Sequence, residues 1–155
     1  YYSGKPTIPF GFGLSYTSFS YSALSVNASS ISHCDSIGVS VTVTNTGDVG
    51  ADEVVQLYAK TPSVSVKAPR VRLADFARVH IPKGGKRTVA LTVTPKYFSV
   101  VKDEGNASFW EPSIAVEAGE VTLHVGGGQP DFATGVLSAS VHVKAGGALT
   151  TQYRC

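Results

Sequence analysis

The residues of this chain that could do chemistry are scattered rather than gathered. Its four histidines are His33, His80, His124 and His142, and no two of them stand at i, i+2 or i, i+4, the spacings at which neighbouring imidazoles share a metal. His124 and His142 fall inside strand-like runs and are read as sheet-face residues. Cys34 and Cys155 are too far apart for a zinc knuckle. No Gly-x-Ser-x-Gly elbow offers an activated serine. The run GGGQPD (126–131) follows a strand pattern, but it opens no helix and lacks the Gly-Lys-Ser/Thr ending of a phosphate loop, so it is read as a wide loop. Glycoside hydrolysis needs two carboxylates flanking the scissile bond. The acids Asp48, Asp52, Asp75, Asp103, Glu104, Glu120 and Asp131 are expected mostly in solvated turns. No catalytic residue, cofactor or metal is assigned.

Modification and binding leave more to weigh. Asn27-Ala28-Ser29 and Asn106-Ala107-Ser108 are acceptor sequons for N-glycosylation. With an even cysteine count they point to an extracellular or secreted setting, cell wall and vacuole included. Cys34 and Cys155 either pair or remain two thiols. A disulfide between them would close a very long loop and stabilise by roughly 4–5 kcal/mol on the chain-entropy model. Tyr16, Tyr58, Tyr97, Phe98, Phe109 and Trp110 could include a sugar-stacking platform. Most are expected to fill the core, where aromatics carry the largest burial term. Trp110, beside Glu111, is the candidate carbohydrate contact, with polysaccharide as the implied partner.

The chain has 155 residues, 43% of them hydrophobic and 15% charged, which suits one globular domain with a sizeable core. A net charge of +2, with the basic residues spread out, gives no reason to expect nucleic acid or an anionic membrane as partner. No apolar run approaches the roughly 20 residues that span a bilayer. With no methionine and no leader-like start, the chain is expected to be a processed product or a piece of a longer precursor.

The periodicity is that of strands. SIGVSVTVTN alternates Ile37, Val39, Val41 and Val43 with small or hydroxylic residues, the pattern of a half-buried strand. Asn45, Gly47, Asp48 and Gly50 then supply a turn whose residues tolerate positive φ. EVVQLYAK sets Val55, Leu57 and Ala59 against Val54, Gln56 and Tyr58. RVRLADFARVHI reads as one strand or two, KGGK as a turn, and RTVALTVT as a strand with Val89, Leu91 and Val93 inward. PSIAVEAG and EVTLHVGGG are expected to form a hairpin turning at Ala118-Gly119, and VLSASVHVKA closes the set. PKYFSVVKDEG (95–105) is the nearest thing to a helix, at most one turn. Seven or eight short strands at this spacing predict an all-β, two-sheet antiparallel sandwich. The tail after Lys144 is loose in composition, with Cys155 alone hinting at an anchor.

The amino-terminal run PFGFGLSYTSFSYS (9–22) resembles the Pro-Phe-Gly-(aromatic)-Gly-Leu-Ser-Tyr-Thr-x-Phe signature near the carboxy terminus of family 3 glycoside hydrolases, the β-glucosidases and β-xylosidases. VTVTNTGDVGADEVVQLYAKTP is similar to their Asn-Thr-Gly…Glu-Val-x-Gln-Leu-Tyr run. APRVRLADFARVHIPKGGKRTVALTVTP and EAGEVTLHVGG resemble the later strands, with PKGGK departing from the usual Pro-Gly-Glu. The likeness extends over about residues 5–145. It implies a fibronectin type III-like sandwich over 19–145, preceded by a linker and docking segment over 1–18 and followed by a tail over 146–155. In such enzymes the catalytic residues lie in upstream domains, so no catalytic role carries over to this chain. The implied role is non-catalytic: packing against catalytic domains of the same precursor or of neighbouring subunits, with Phe10, Phe12, Leu14 and Tyr16 at the contact. Two other readings stay open, a module reused as a structural or adhesive unit of an extracellular assembly and a carbohydrate-binding module.

Overall fold

The computed structural model describes residues 4–61, 64–102 and 113–155. Eleven strands, among the described residues, run in chain order as β1 (Phe19–Val26), β2 (Ser30–Ile31), β3 (Ile37–Asn45), β4 (Ala51–Lys60), β5 (Arg72–Ile81), β6 (Lys86–Val93), β7 (Ser99–Lys102), β8 (Ser113–Val116), β9 (Gly119–Gly126), β10 (Leu137–Val143) and β11 (Gly147–Leu149). One sheet has the order β1-β3-β6 and a second β2-β10-β9-β4-β5. Their inward residues form one buried cluster. Val39, Val41 and Val43 come from β3 and Val89, Leu91 and Val93 from β6. Facing them are Val55 and Leu57 from β4, Leu123 and Val125 from β9, and Val141 from β10. This is a fibronectin type III-like β-sandwich, with the apolar alternation of β3 and β6 turned inward as the sequence predicts.

Three features depart from the sequence-based expectation. A small third sheet, β11-β8-β7, joins the sandwich, and β8 and β9 do not form a hairpin. β8 pairs with β7 and β11, whereas β9 pairs with β10 and β4, so the chain changes sheet between Val116 and Gly119. The segment expected as a loose tail contains β11. It ends in a turn closed by bonds from the Tyr153 amide to the Thr150 carbonyl and from the Thr150 amide to the Arg154 carbonyl. Finally, β2 lies parallel to β10, the exception to the antiparallel pattern among the described strands.

The ladders of β1 and β5 are each interrupted once. On β1, two residues stand opposite one between Ser22 and Ser25, with Ala23 at φ 50°, the signature of a bulge on this edge strand. On β5, Ala74 is the extra residue opposite Leu57 and Tyr58. Asp75 beside it accepts from the Thr92 amide of β6 at 2.8 Å, tying the edges of the two main sheets together. PKY (95–97) forms a single 3-10 turn leading into β7. No helix among the described residues is long and apolar enough to cross a membrane.

The turn after β3 is not built as its composition suggests. None of Asn45, Gly47, Asp48 and Gly50 adopts positive φ. Asn45 is instead fully buried, and its side chain organises the turn. Its Oδ1 accepts from Thr17 Oγ1 (2.5 Å) and the Gly47 amide (3.1 Å), while Nδ2 donates to the carbonyls of Val49 (2.8 Å) and Ile81 (3.0 Å). Four partners on three segments converge on one carboxamide.

Candidate functional site

The carboxylates and histidines sit in local pairings. Asp52, Asp75 and Glu120 lie in β4, β5 and β9 rather than in turns. Asp52 is held below its ordinary range by His80 (2.7 Å) and Arg78 (2.8 Å). Glu117 takes the Ser65 hydroxyl and amide, and Lys102 lies 3.4 Å away. His124 Nδ1 pairs with Ser138 Oγ at 2.8 Å, and burial pushes its pKa down. His33 brings a ring nitrogen within 4.8 Å of both cysteine sulfurs. Those sulfurs are joined, Cys34 to Cys155 with Cα atoms 5.9 Å apart, so they offer no thiolate to a metal.

The surface feature that stands out is a groove at one pole of the sandwich, with a volume of about 1000 Å³. Its rim is the amino-terminal segment. Its walls are Phe19 and Tyr21 of β1, Val54 of β4, Phe76 of β5 and the loop 127–134. The segment is set by a turn: the Phe12 amide donates to the Pro9 carbonyl (3.2 Å), with Gly11 at φ +82°, the left-handed third position of a type II turn. Gly11 meets a second demand here. A Cβ on it would lie 2.6 Å from Gln56 Nε2. The turn is fastened to the far loop by the Gln129 amide donating to the Phe10 carbonyl at 3.1 Å.

Beneath it, the outer face of β4 is buried where simple alternation leaves it exposed. Tyr58 donates to Gln56 Oε1 (2.6 Å), and Gln56 Nε2 donates to the Gly127 carbonyl (3.1 Å). Both side chains are almost completely buried. Tyr58 and Phe98 are therefore core residues rather than a sugar platform, and Tyr97 packs against the core. Trp110, Phe109 and the Asn106 sequon lie outside the described residues.

The predicted contact residues remain uncovered. Phe10 and Phe12 are each 63% exposed, Leu14 94% and Tyr16 97%, and the first three line the groove. Asp52 and Glu53, the two acids of the groove, are consecutive on a strand and point to opposite faces, so they do not make a catalytic pair. Glu53 is half-buried and its pKa is raised by desolvation. It accepts from Tyr21 Oη at 2.5 Å, and burial together with that bond pushes the Tyr21 pKa far up. Sequence reasoning missed Asn45, Gln56 and the Tyr21–Glu53 pair. The hint was that Asn45, Glu53 and Gln56 stand in the Asn-Thr-Gly…Glu-Val-x-Gln-Leu-Tyr run and Tyr21 in the amino-terminal signature.

The Tyr21 shift carries a sign. A phenol whose folded pKa lies above its unfolded value of about 10 contributes stability fully present below that pH and lost as pH rises beyond it. The unfolding midpoint in denaturant is therefore expected to fall more steeply between roughly pH 9 and pH 11 in the native sequence than in Tyr21→Phe. Parallel curves for the two proteins would show that the phenol is not held.

A filled core between two sheets and one uncovered apolar pole define the class: a fibronectin type III-like β-sandwich. A family model described as the fibronectin type III-like domain matches residues 53–129. The chain is 36% identical over 148 residues to the thermostable β-glucosidase B of Acetivibrio thermocellus, covering 94% of this chain and 18% of that protein. It is 39% identical over 121 residues to a β-xylosidase of Formosa agariphila, covering 78% and 16%. It superposes on the family 3 β-glucosidase of Bifidobacterium adolescentis with a TM-score of 0.73 and 31% identity, covering 87% of this chain and 18% of that one. The chain belongs to the fibronectin type III-like domains of family 3 glycoside hydrolases. It spans less than a fifth of the length of these relatives and corresponds to their accessory region.

Proposed function

We propose that this domain serves, without catalysing, in a glycosidase acting on β-linked glucosides or xylosides, and that its groove docks it onto catalytic domains of the same polypeptide. The exposure of Leu14 and Tyr16 on a domain whose core is already filled carries the reading. A monomer gains nothing from leaving such side chains in water. Covering Phe10, Phe12, Leu14 and Tyr16 is worth on the order of 6–12 kcal/mol before the cost of ordering the contact. The β-glucosidase of Acetivibrio thermocellus and the β-xylosidase of Formosa agariphila, both far longer chains, support the substrate class. The Cys34–Cys155 disulfide supports an oxidising, extracellular or vacuolar setting. Hydroxyl-radical footprinting of the full-length protein tests the docking: the four side chains should be shielded there, and rapid labelling of all four would refute it.

A further inference from the structure

We propose that Asn27 is an N-glycan acceptor at the pole opposite the docking groove. Asn27 is exposed and lies in the Asn27-Ala28-Ser29 sequon between β1 and β2. Its carboxamide is oriented before any sugar arrives. The Gly38 amide donates to Asn27 Oδ1 at 3.0 Å, and the Asn27 amide donates back to the Gly38 carbonyl at 2.9 Å. A Cβ on Gly38 would lie 3.3 Å from Asn27 Cγ, so the glycine lets this side chain rest close over its backbone. Glycosylation substitutes Nδ2 and leaves Oδ1 an acceptor, so the bond from Gly38 survives the modification.

The chemistry needs a lipid-diphosphate-linked oligosaccharide as donor. Nδ2 forms a bond to the anomeric carbon of its first N-acetylhexosamine. The bond from that carbon to the phosphate oxygen breaks, the lipid diphosphate leaves, and the amide gives up one proton. The compartment that supplies this donor is also the one that forms structural disulfides, and Cys34–Cys155 is such a bond, read independently of the sequon.

Position makes the glycan compatible with docking. Phe19 and Tyr21, at the start of β1, line the groove, whereas Asn27 follows the strand's other end. Eight residues of strand separate Phe19 from Asn27 by roughly 25 Å. β1 is also an edge strand, and a sugar at its end would hinder pairing with another chain.

The test is the full-length protein secreted from a eukaryotic host and treated with peptide-N-glycosidase in heavy-oxygen water, which leaves an isotope-labelled aspartate wherever a glycan was removed. The label is expected at position 27, and both Asn27→Gln and Ser29→Ala should lose one glycan's mass. Ser29→Ala leaves the Asn27–Gly38 bonds in place, so its loss cannot be ascribed to misfolding. An unlabelled position 27 in the native sequence, or a label that survives Ser29→Ala, overturns the assignment.

Discussion

Replacing Cys155 with serine is expected to lower unfolding stability by about 4–5 kcal/mol, the largest single-residue effect in this domain. The disulfide joins residues 121 apart in sequence and so removes the closure entropy of a loop that takes in most of the unfolded chain. It also holds a carboxy-terminal segment whose other ties are modest: β11 is three residues long, and Lys96 lies 5.6 Å from the Tyr153 ring. Because the effect acts mainly through the unfolded state, guanidinium unfolding should show a lower midpoint and a steeper slope as that state expands. Cys34→Ser with Cys155→Ser should cost no more than Cys155→Ser alone. A loss below about 1 kcal/mol would mean that the native bridge is strained or the unfolded chain already compact.

The second large effect is expected at Asn45. Asn45→Ala removes an acceptor shared by Thr17 and Gly47 and a donor shared by Val49 and Ile81. A buried polar group left without a partner costs about 1–3 kcal/mol, and water can reach part of this site, so the total should be roughly 3 kcal/mol. Beyond stability, Thr17 and Ser18 are where the amino-terminal segment meets the turn. The variant should therefore also speed amide exchange at Gly47, and at Thr46, whose amide donates to the Ser18 carbonyl. A cost under 1 kcal/mol with unchanged exchange would show that the carboxamide is only filling space.

These two residues mark what could and could not be read from sequence. β3 and β6 were legible because one strict binary pattern decides which face is buried, whatever the partner strand. The hairpin expected at Ala118-Gly119 failed because a turn signal is local, whereas β8 finds its partners in β7 and β11. β11 escaped notice because Gly-Ala-Leu has little strand propensity and owes its place to β8. At the site, Phe10, Phe12, Leu14 and Tyr16 stood out because they fall in the PFGFGLSY run that resembles the family signature, ahead of the first strand. The walls they complete did not, because Gln56 and Tyr58 are buried only where Gly11 and the 127–129 loop close over β4. Asn45 looked like a turn former by type; its four bonds reach segments from residue 17 to residue 81, which no local pattern encodes.

The central claim is that the uncovered pole is an interface, and side-chain labelling addresses it most directly. In the full-length protein, hydroxyl-radical oxidation of Phe10, Phe12, Leu14 and Tyr16 should be slowed at least about tenfold relative to Val101, an exposed residue remote from the groove in sequence. Shielding at the rim, with Val101 still reactive, is the predicted result. Labelling of Leu14 and Tyr16 as fast as Val101 would contradict the account.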